Sequence, residues 1–270
     1  MFKDAVIQPL KRSKLRRKLG KKFYITKRYF NWLKSKSSFA RELNSEQLEF
    51  LVKKHQSFLL RPLKDVDMQL QHNKTTNLRL AAEKINGLII KPGEVFSFWY
   101  LVGDPTAKKG YLPGLVLNQG NIESGVGGGL CQMGNLLFWM AIHSPLTIKE
   151  RYRHGFDVFP DVNRKVPFGA GATLSYNYID LQIKNETLHD FQLILYLSEE
   201  HLQGEIRSNQ SFTDHYEVYE ADHRMVHQSW GGYTRHNRIV RKITSENGEV
   251  REEDLLENHA VMMYEPLLES

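Results

Sequence analysis

With 270 residues, 41% of them hydrophobic and 25% charged, the chain has the length and apolar content for one large domain plus an extension. Its single cysteine excludes an internal disulfide and a cysteine-rich zinc site, and no apolar run approaches the ~18 residues that span a bilayer. The start, Met1–Leu10, has no apolar core of signal-peptide length, so the expected compartment is the cytoplasm.

Charge is concentrated at the beginning. Up to Arg41 there are fourteen Lys/Arg against the single acid Asp4, so this arm carries +13 and the remaining residues −7. An anionic partner is expected for such an arm. Leu15, Leu19, Phe23, Tyr24, Phe30, Trp32 and Leu33 interrupt the cations at partly helical spacing. Three readings follow: a helix in an anionic membrane surface through residues 1–36, a helix packed on the body with its cations in water, or a nucleic-acid contact. No nucleic-acid motif accompanies the arm, so no such partner is expected.

Residues up to about Leu60 read as helical, with Asn44 and Gln47 forming a capping box ahead of a helix over Glu46–Leu60. Arg61–Asn73 reads as a connector. Thr76 or Asn77 is the expected cap of a second helix running to Asn86, stopped by Gly87. From Gly87 the texture turns to strands: Ile89–Ile90, Val95–Tyr100, and a hairpin about Asn118–Asn121. Leu130–His143 has the strongest helical period, and Ser144–Pro145 stops it. Short β-type runs follow at Leu146–Ile148, Ala172–Leu181, Phe191–Leu197, Tyr216–Val218 and Ile239–Ile243. The expected fold is α+β, a mainly antiparallel sheet with a central Cys-bearing helix. The expected division is a basic helical extension (1–72), the α+β domain (73–264) and a tail (265–270).

The chemically distinctive segment is Glu123-Ser-Gly-Val-Gly-Gly-Gly-Leu-Cys-Gln132. Its glycines allow positive φ and convergent backbone amides, and Cys131 falls in the first turn of the next helix, where the dipole favours a thiolate. Amides of Gly127, Gly128, Gly129 and Leu130, with the Gln132 side chain, form a candidate oxyanion or ligand-binding site. The same turn suits a non-covalent carboxylate or phosphate site, and a lone cysteine also serves as a small buried hydrophobe. A Walker motif is ruled out because Gly-Lys-Ser/Thr is missing. Some twenty residues on, Arg151-Tyr-Arg-His-Gly-Phe-Asp-Val-Phe-Pro-Asp161 supplies His154 as candidate base and Asp157, or Asp161, as its orienting carboxylate. His143 reads as a charge at the helix C-terminus. Cys131, His143, His154 and Asp157 lack metal-binding spacing, so neither a metal nor another cofactor is expected.

The run Gly127-Gly-Gly-Leu-Cys-Gln132, the helix Leu136–Pro145, the segment Arg151–Asp161 and the run Phe168–Leu181 together resemble the VanW family, and Pro9–Arg17 resembles its short members in glycopeptide-resistance gene clusters. The resemblance implies a link to vancomycin resistance or cell-wall metabolism and a peptide-like or cell-wall-precursor substrate. Longer, envelope-directed relatives carry an aspartate before the Ala-Thr pair, where this chain has Gly171. Two functions remain in view. One is a thiol-dependent acyl-transfer enzyme using Cys131, His154, Asp157 and Gln132. The other is a non-catalytic binding or accessory protein whose glycine loop holds a carboxylate or phosphate.

Overall fold

The computed structural model describes residues 13–60, 67–118, 120–158 and 166–265. Helix α1 (Lys14–Lys34) is followed by strand β1 (Phe50–Phe58), helix α2 (Met68–Ile85), strands β2 (Leu88–Ile90) and β3 (Val95–Ser97), and the short helix α3 (Phe98–Val102). The hairpin β4 (Pro113–Asn118) and β5 (Asn121–Val126) leads into helix α4 (Cys131–Ile142). Strands β6 (Thr147–Glu150), β7 (Phe156–Asp157), β8 (Gln182–Lys184), β9 (Phe191–Leu197), β10 (His201–Ser208), β11 (His215–His227), β12 (Tyr233–Thr244) and β13 (Val250–Met262) complete the chain. This is an α+β protein with mostly antiparallel sheets and an N-terminal helix.

The first sheet has the order β1-β10-β9-β2, every neighbour antiparallel. Its first strand corrects the helix expected over Glu46–Leu60. Leu51, Val52 and Phe58 do fall near helical spacing, but Phe50 to Phe58 pair with Ser208 to His201 of β10. The alternating in-and-out burial of β10 offers a complete ladder, and a long-range pairing overrides a weak local pattern. Helix α4 lies against β1 and β10. Gly204 on β10 makes that approach possible, since a Cβ there would stand 2.6 Å from Leu136 Cδ2 and 2.7 Å from Met140 Cε.

Helix α2 starts earlier than expected. Asp67, rather than Thr76 or Asn77, caps it by accepting the Gln69 N–H at 2.8 Å. The early turns were hidden because they bury Gln71 and Lys74 instead of aliphatic residues. The strand expected over Val95–Tyr100 ends at Ser97, whose hydroxyl caps α3 through the Tyr100 N–H. Ala172–Leu181, also expected as a strand, is irregular apart from a bridge between Ser175 and Ile179. Its bonds are dispersed, those of Ala172–Leu174 going to α4 and Tyr152 and those of Ile179–Leu181 to Ser97, Phe98 and Trp99, leaving no ladder to build.

A second sheet, β11-β12-β13-β7, is formed by three long antiparallel strands with β7 parallel to β13. Val250–Met262 gave no strand signal because its exposed positions carry Arg251, Glu252, Asp254 and Glu257, which break up the apolar alternation. The remaining sheets are β3-β8-β6 and the β4-β5 hairpin. The main core gathers Phe96, Phe98, Phe138, Met133, Leu136 and Phe191 between α4, α2 and the first sheet.

Candidate functional site around the glycine turn and Cys131

The glycine turn is closed by packing on three sides. A Cβ at Gly127 (φ +75°) would meet Pro105 at 2.8 Å, one at Gly128 would meet the Gly114 backbone at 2.2 Å, and one at Gly129 (φ +91°) would meet Lys74 Cγ at 2.1 Å. Asn77, fully buried on α2, holds the turn in place. Its Nδ2 donates to the carbonyls of Gly128 and Leu112, each at 2.9 Å, and its Oδ1 accepts the Leu112 N–H at 2.8 Å. Two of the turn's amides are already committed, Gly127 N–H to Leu112 O and Gly128 N–H to Gly125 O. The stem of Lys74 lies against Gly129.

Cys131 is the first residue of α4, with Leu130 as its N-cap. The sulfur is bracketed by one residue: it accepts the Leu174 N–H at 3.4 Å and its S–H donates to the Leu174 carbonyl at 3.7 Å. Burial raises the thiol pKa, and the backbone hydrogen bonds offset this only in part. Gln132, the other expected oxyanion group, points to β1, where its Nε2 donates to Ser57 Oγ and to Phe58 O, both at 2.7 Å.

The segment 171–174 lies between α4 and the stretch that carries His154. On one side the Ala172 N–H donates to Asn135 Oδ1 at 2.7 Å and Leu174 holds Cys131. On the other, the Thr173 N–H donates to Tyr152 O at 2.8 Å and Arg151 Nε donates to Gly171 O at 2.7 Å. Among the described residues no hydrogen bond joins the Cys131 sulfur to an imidazole. His154 is half-buried in the loop between β6 and β7, and burial, with the Arg153 charge, lowers its pKa. Asp157 is buried on β7 and faces the second sheet, taking an ion pair from Arg235 at 3.4 Å and the Tyr264 hydroxyl at 2.8 Å. Asp161 lies outside the described residues. Gly171 sits where a Cβ would stand 2.6 Å from Asn135 Oδ1, so an aspartate at this position would have to displace Asn135. No group of three or more His, Cys, Asp or Glu among the described residues is placed to hold a metal ion.

The interposed segment also gathers cations. Arg151 Nη2 donates to Gly169 O, and its guanidinium lies 5.2 Å from the centre of the Phe138 ring. Burial, reinforced by the neighbouring Arg153, lowers its pKa to about 10. The guanidinium of Arg153 lies 3.9 Å, and that of Arg235 4.2 Å, from the centre of the Phe168 ring. Sequence reading noted Arg151 and Arg153 only as company for His154, and it missed Arg235 and, as a fastener, Asn135. Asn77 and Asn135 could have been found as asparagines inside helices, where their low propensity calls for a compensating bond.

At the far end of α4 His143 is buried, its ring 4.4 Å from that of Trp139, and its Nδ1 donates to Trp139 O at 2.8 Å. Burial is the main reason its pKa falls to about 4, helped by Lys53, His55 and Arg241 and opposed by the Trp139 carbonyl. The neutral ring is the folded form, so its contribution is complete above the unfolded value of ~6.5 and is lost as pH falls towards 4. Buried Asp180, raised to about 6, favours folding on the acid side and works in the opposite direction. The readout is therefore a difference: denaturant titrations from pH 7 to 4 should show wild type losing up to ~3 kcal/mol more than His143→Gln. Parallel acid limbs in the two proteins would show that His143 does not titrate in this way.

A mixed α+β body, in which a glycine turn feeds a cysteine-led helix packed on an antiparallel sheet, is the class of protein these elements define. Residues 73–207 match the family model described as VanW like protein. The chain is 34% identical over 233 residues to the Vancomycin B-type resistance protein VanW of Enterococcus faecalis, covering 86% of this chain and 84% of that protein. This chain belongs to the VanW family. It is also 33% identical over 117 residues to Uncharacterized protein YoaR of Bacillus subtilis, covering 42% of this chain and 36% of that one. No solved structure matches. The matched family region ends at β10, so α1, β1 and the second sheet's long strands lie outside it.

Proposed function

We propose that this VanW-family protein supports vancomycin resistance as a non-catalytic binding component, recognising an anionic, peptide-like cell-wall precursor at Arg151. The observation that carries the reading is the setting of Arg151. Its hydrogen bonds run to the uncharged carbonyls of Gly169 and Gly171, while burial and the Arg153 charge work against its own cation. A carboxylate arriving here would offset the burial and the Arg153 charge that work against the Arg151 cation, and would accept charge-assisted bonds from it. The thiol reading has one observation in its favour, the place of Cys131 at the start of α4. Against it stand the bracketing of the sulfur by Leu174, its raised pKa and the commitment of Gln132 to β1.

Calorimetric titration of the full chain tests the proposal, using an N-acetylated dipeptide with a free terminal carboxylate and the same dipeptide as its amide. The acid should bind at least tenfold more tightly than the amide, since a charged hydrogen bond contributes ~1.5–3 kcal/mol. Arg151→Gln should abolish most of that difference. Equal binding of acid and amide, or indifference to Arg151→Gln, defeats the proposal. Hydrolysis of the amide by wild type but not by Cys131→Ala would establish acyl transfer in its place.

A further inference from the structure

Helix α1 is docked by one side and bare on the other. Arg28 forms an ion pair with Glu150 and donates to the Tyr178 carbonyl at 3.3 Å. The Tyr29 and Tyr176 hydroxyls meet at 2.7 Å, and buried Trp32 sets its ring edge-on to Tyr100 at 5.6 Å. These contacts fix the helix on the body through its second half. Leu15, Leu19, Phe23, Phe30 and Leu33 are each between 60% and 72% exposed. At 100° per residue the five fall within an arc of roughly 80°, centred opposite Arg28 and Trp32. Arg16, Lys27 and Lys34 border one side of this stripe, and Lys18 and Lys22 the other. The helix contains nine Lys/Arg and no acidic residue.

We infer that α1 is a membrane-surface anchor that lies in the plane of an anionic lipid surface with this stripe inserted. The apolar side chains would enter the acyl boundary while the flanking ammonium and guanidinium groups meet lipid phosphates. No helix among the described residues is long and apolar enough to cross a membrane, so the geometry is that of lying on a bilayer. Charge selects this occupant over a second copy of the chain. Two α1 helices placed stripe to stripe would bring together two cationic rims with no acidic residue on either. A nucleic acid would use the cations and leave the five apolar side chains in water. The docked side keeps the stripe pointing away from the body, so the anchor would also fix which face of the domain meets the membrane.

Vesicle flotation with the full chain tests the inference. The probes are vesicles of phosphatidylcholine alone and of phosphatidylcholine with about one-third phosphatidylglycerol. Wild type should bind the anionic vesicles at least tenfold more tightly, with the preference shrinking as salt rises. The triple variant Leu19→Ser, Phe23→Ser, Phe30→Ser should lose at least tenfold of that binding at low salt. Its side chains face solvent, so circular dichroism and unfolding should match wild type. Lys22→Gln with Lys27→Gln is an independent variant that leaves the stripe intact and should lower only the anionic preference. Equal recovery on the two vesicle types, or full binding by the triple variant, overturns the inference. So does a wild-type dimer in light scattering that the triple variant abolishes, because the stripe would then be occupied by a second copy.

Discussion

Gly128→Ala is expected to destabilise the protein by ~3 kcal/mol or more, whereas Gly155→Ala should fall within ~0.5 kcal/mol of wild type. The Cβ introduced at residue 128 would lie 2.2 Å from both the carbonyl carbon and the oxygen of Gly114. Both partners are backbone, so no rotamer change relieves the clash. Asn77 prevents the turn from backing away, because its side chain is bonded to Gly128 O on one side and to Leu112 on the other. Overpacking of this sort ordinarily costs ~1–3 kcal/mol, and the lack of a flexible neighbour places it at or beyond the upper end. Gly155 carries the same substitution into open space, with nothing within 4 Å of its Cβ. Thermal unfolding is the measurement: for a chain of this size ~3 kcal/mol corresponds to a fall of roughly 6–12 °C. A Gly128→Ala protein melting within about 2 °C of wild type would mean that the turn is not held as described.

Cys131 is expected to be an unreactive thiol. In the folded protein its alkylation should be at least about tenfold slower than in denaturant at the same pH, and should titrate above the ordinary thiol value of ~8.5. Burial is the largest influence on the group and disfavours the thiolate, while the Leu174 backbone holds the sulfur without supplying a positive charge. Because the thiolate is the reacting species, each unit by which the pKa rises removes about nine-tenths of it at neutral pH. His154→Ala should leave the profile unchanged, since the sulfur's hydrogen bonds go to Leu174 and none joins it to an imidazole among the described residues. Rapid alkylation at pH 6 to 7 that slows in His154→Ala would restore the nucleophile reading and defeat the binding proposal. The denaturant control separates slow chemistry from a blocked assay.

The sequence by itself determined what is local. Ser13 opens a cationic helix because a hydroxyl at that point satisfies the Arg16 amide, and α4 was legible because five apolar residues repeat at its period. The turn at Gly127–Gly129 was visible because only glycine takes positive φ there without penalty. The family was legible too, since it is written in contiguous runs of residues. Only the tertiary structure decided whatever depends on a partner distant in the chain. Phe50–Phe58 became a strand because β10 waits some 150 positions away with a complementary ladder. The Cys131 sulfur is held by the Leu174 N–H and carbonyl, a partner 43 positions along the chain, and Asp157 turned from His154 to Arg235 because β7 pairs with β13. For the basic helix, sequence offered both a packed and a lipid-facing role. Which side chains stay in water was settled by Arg28, Tyr29 and Trp32 docking on residues more than sixty positions further along. Dihedral preference and capping act over a few residues, whereas desolvation and ladder pairing act through space, so residue spacing reveals the first pair and folding alone reveals the second.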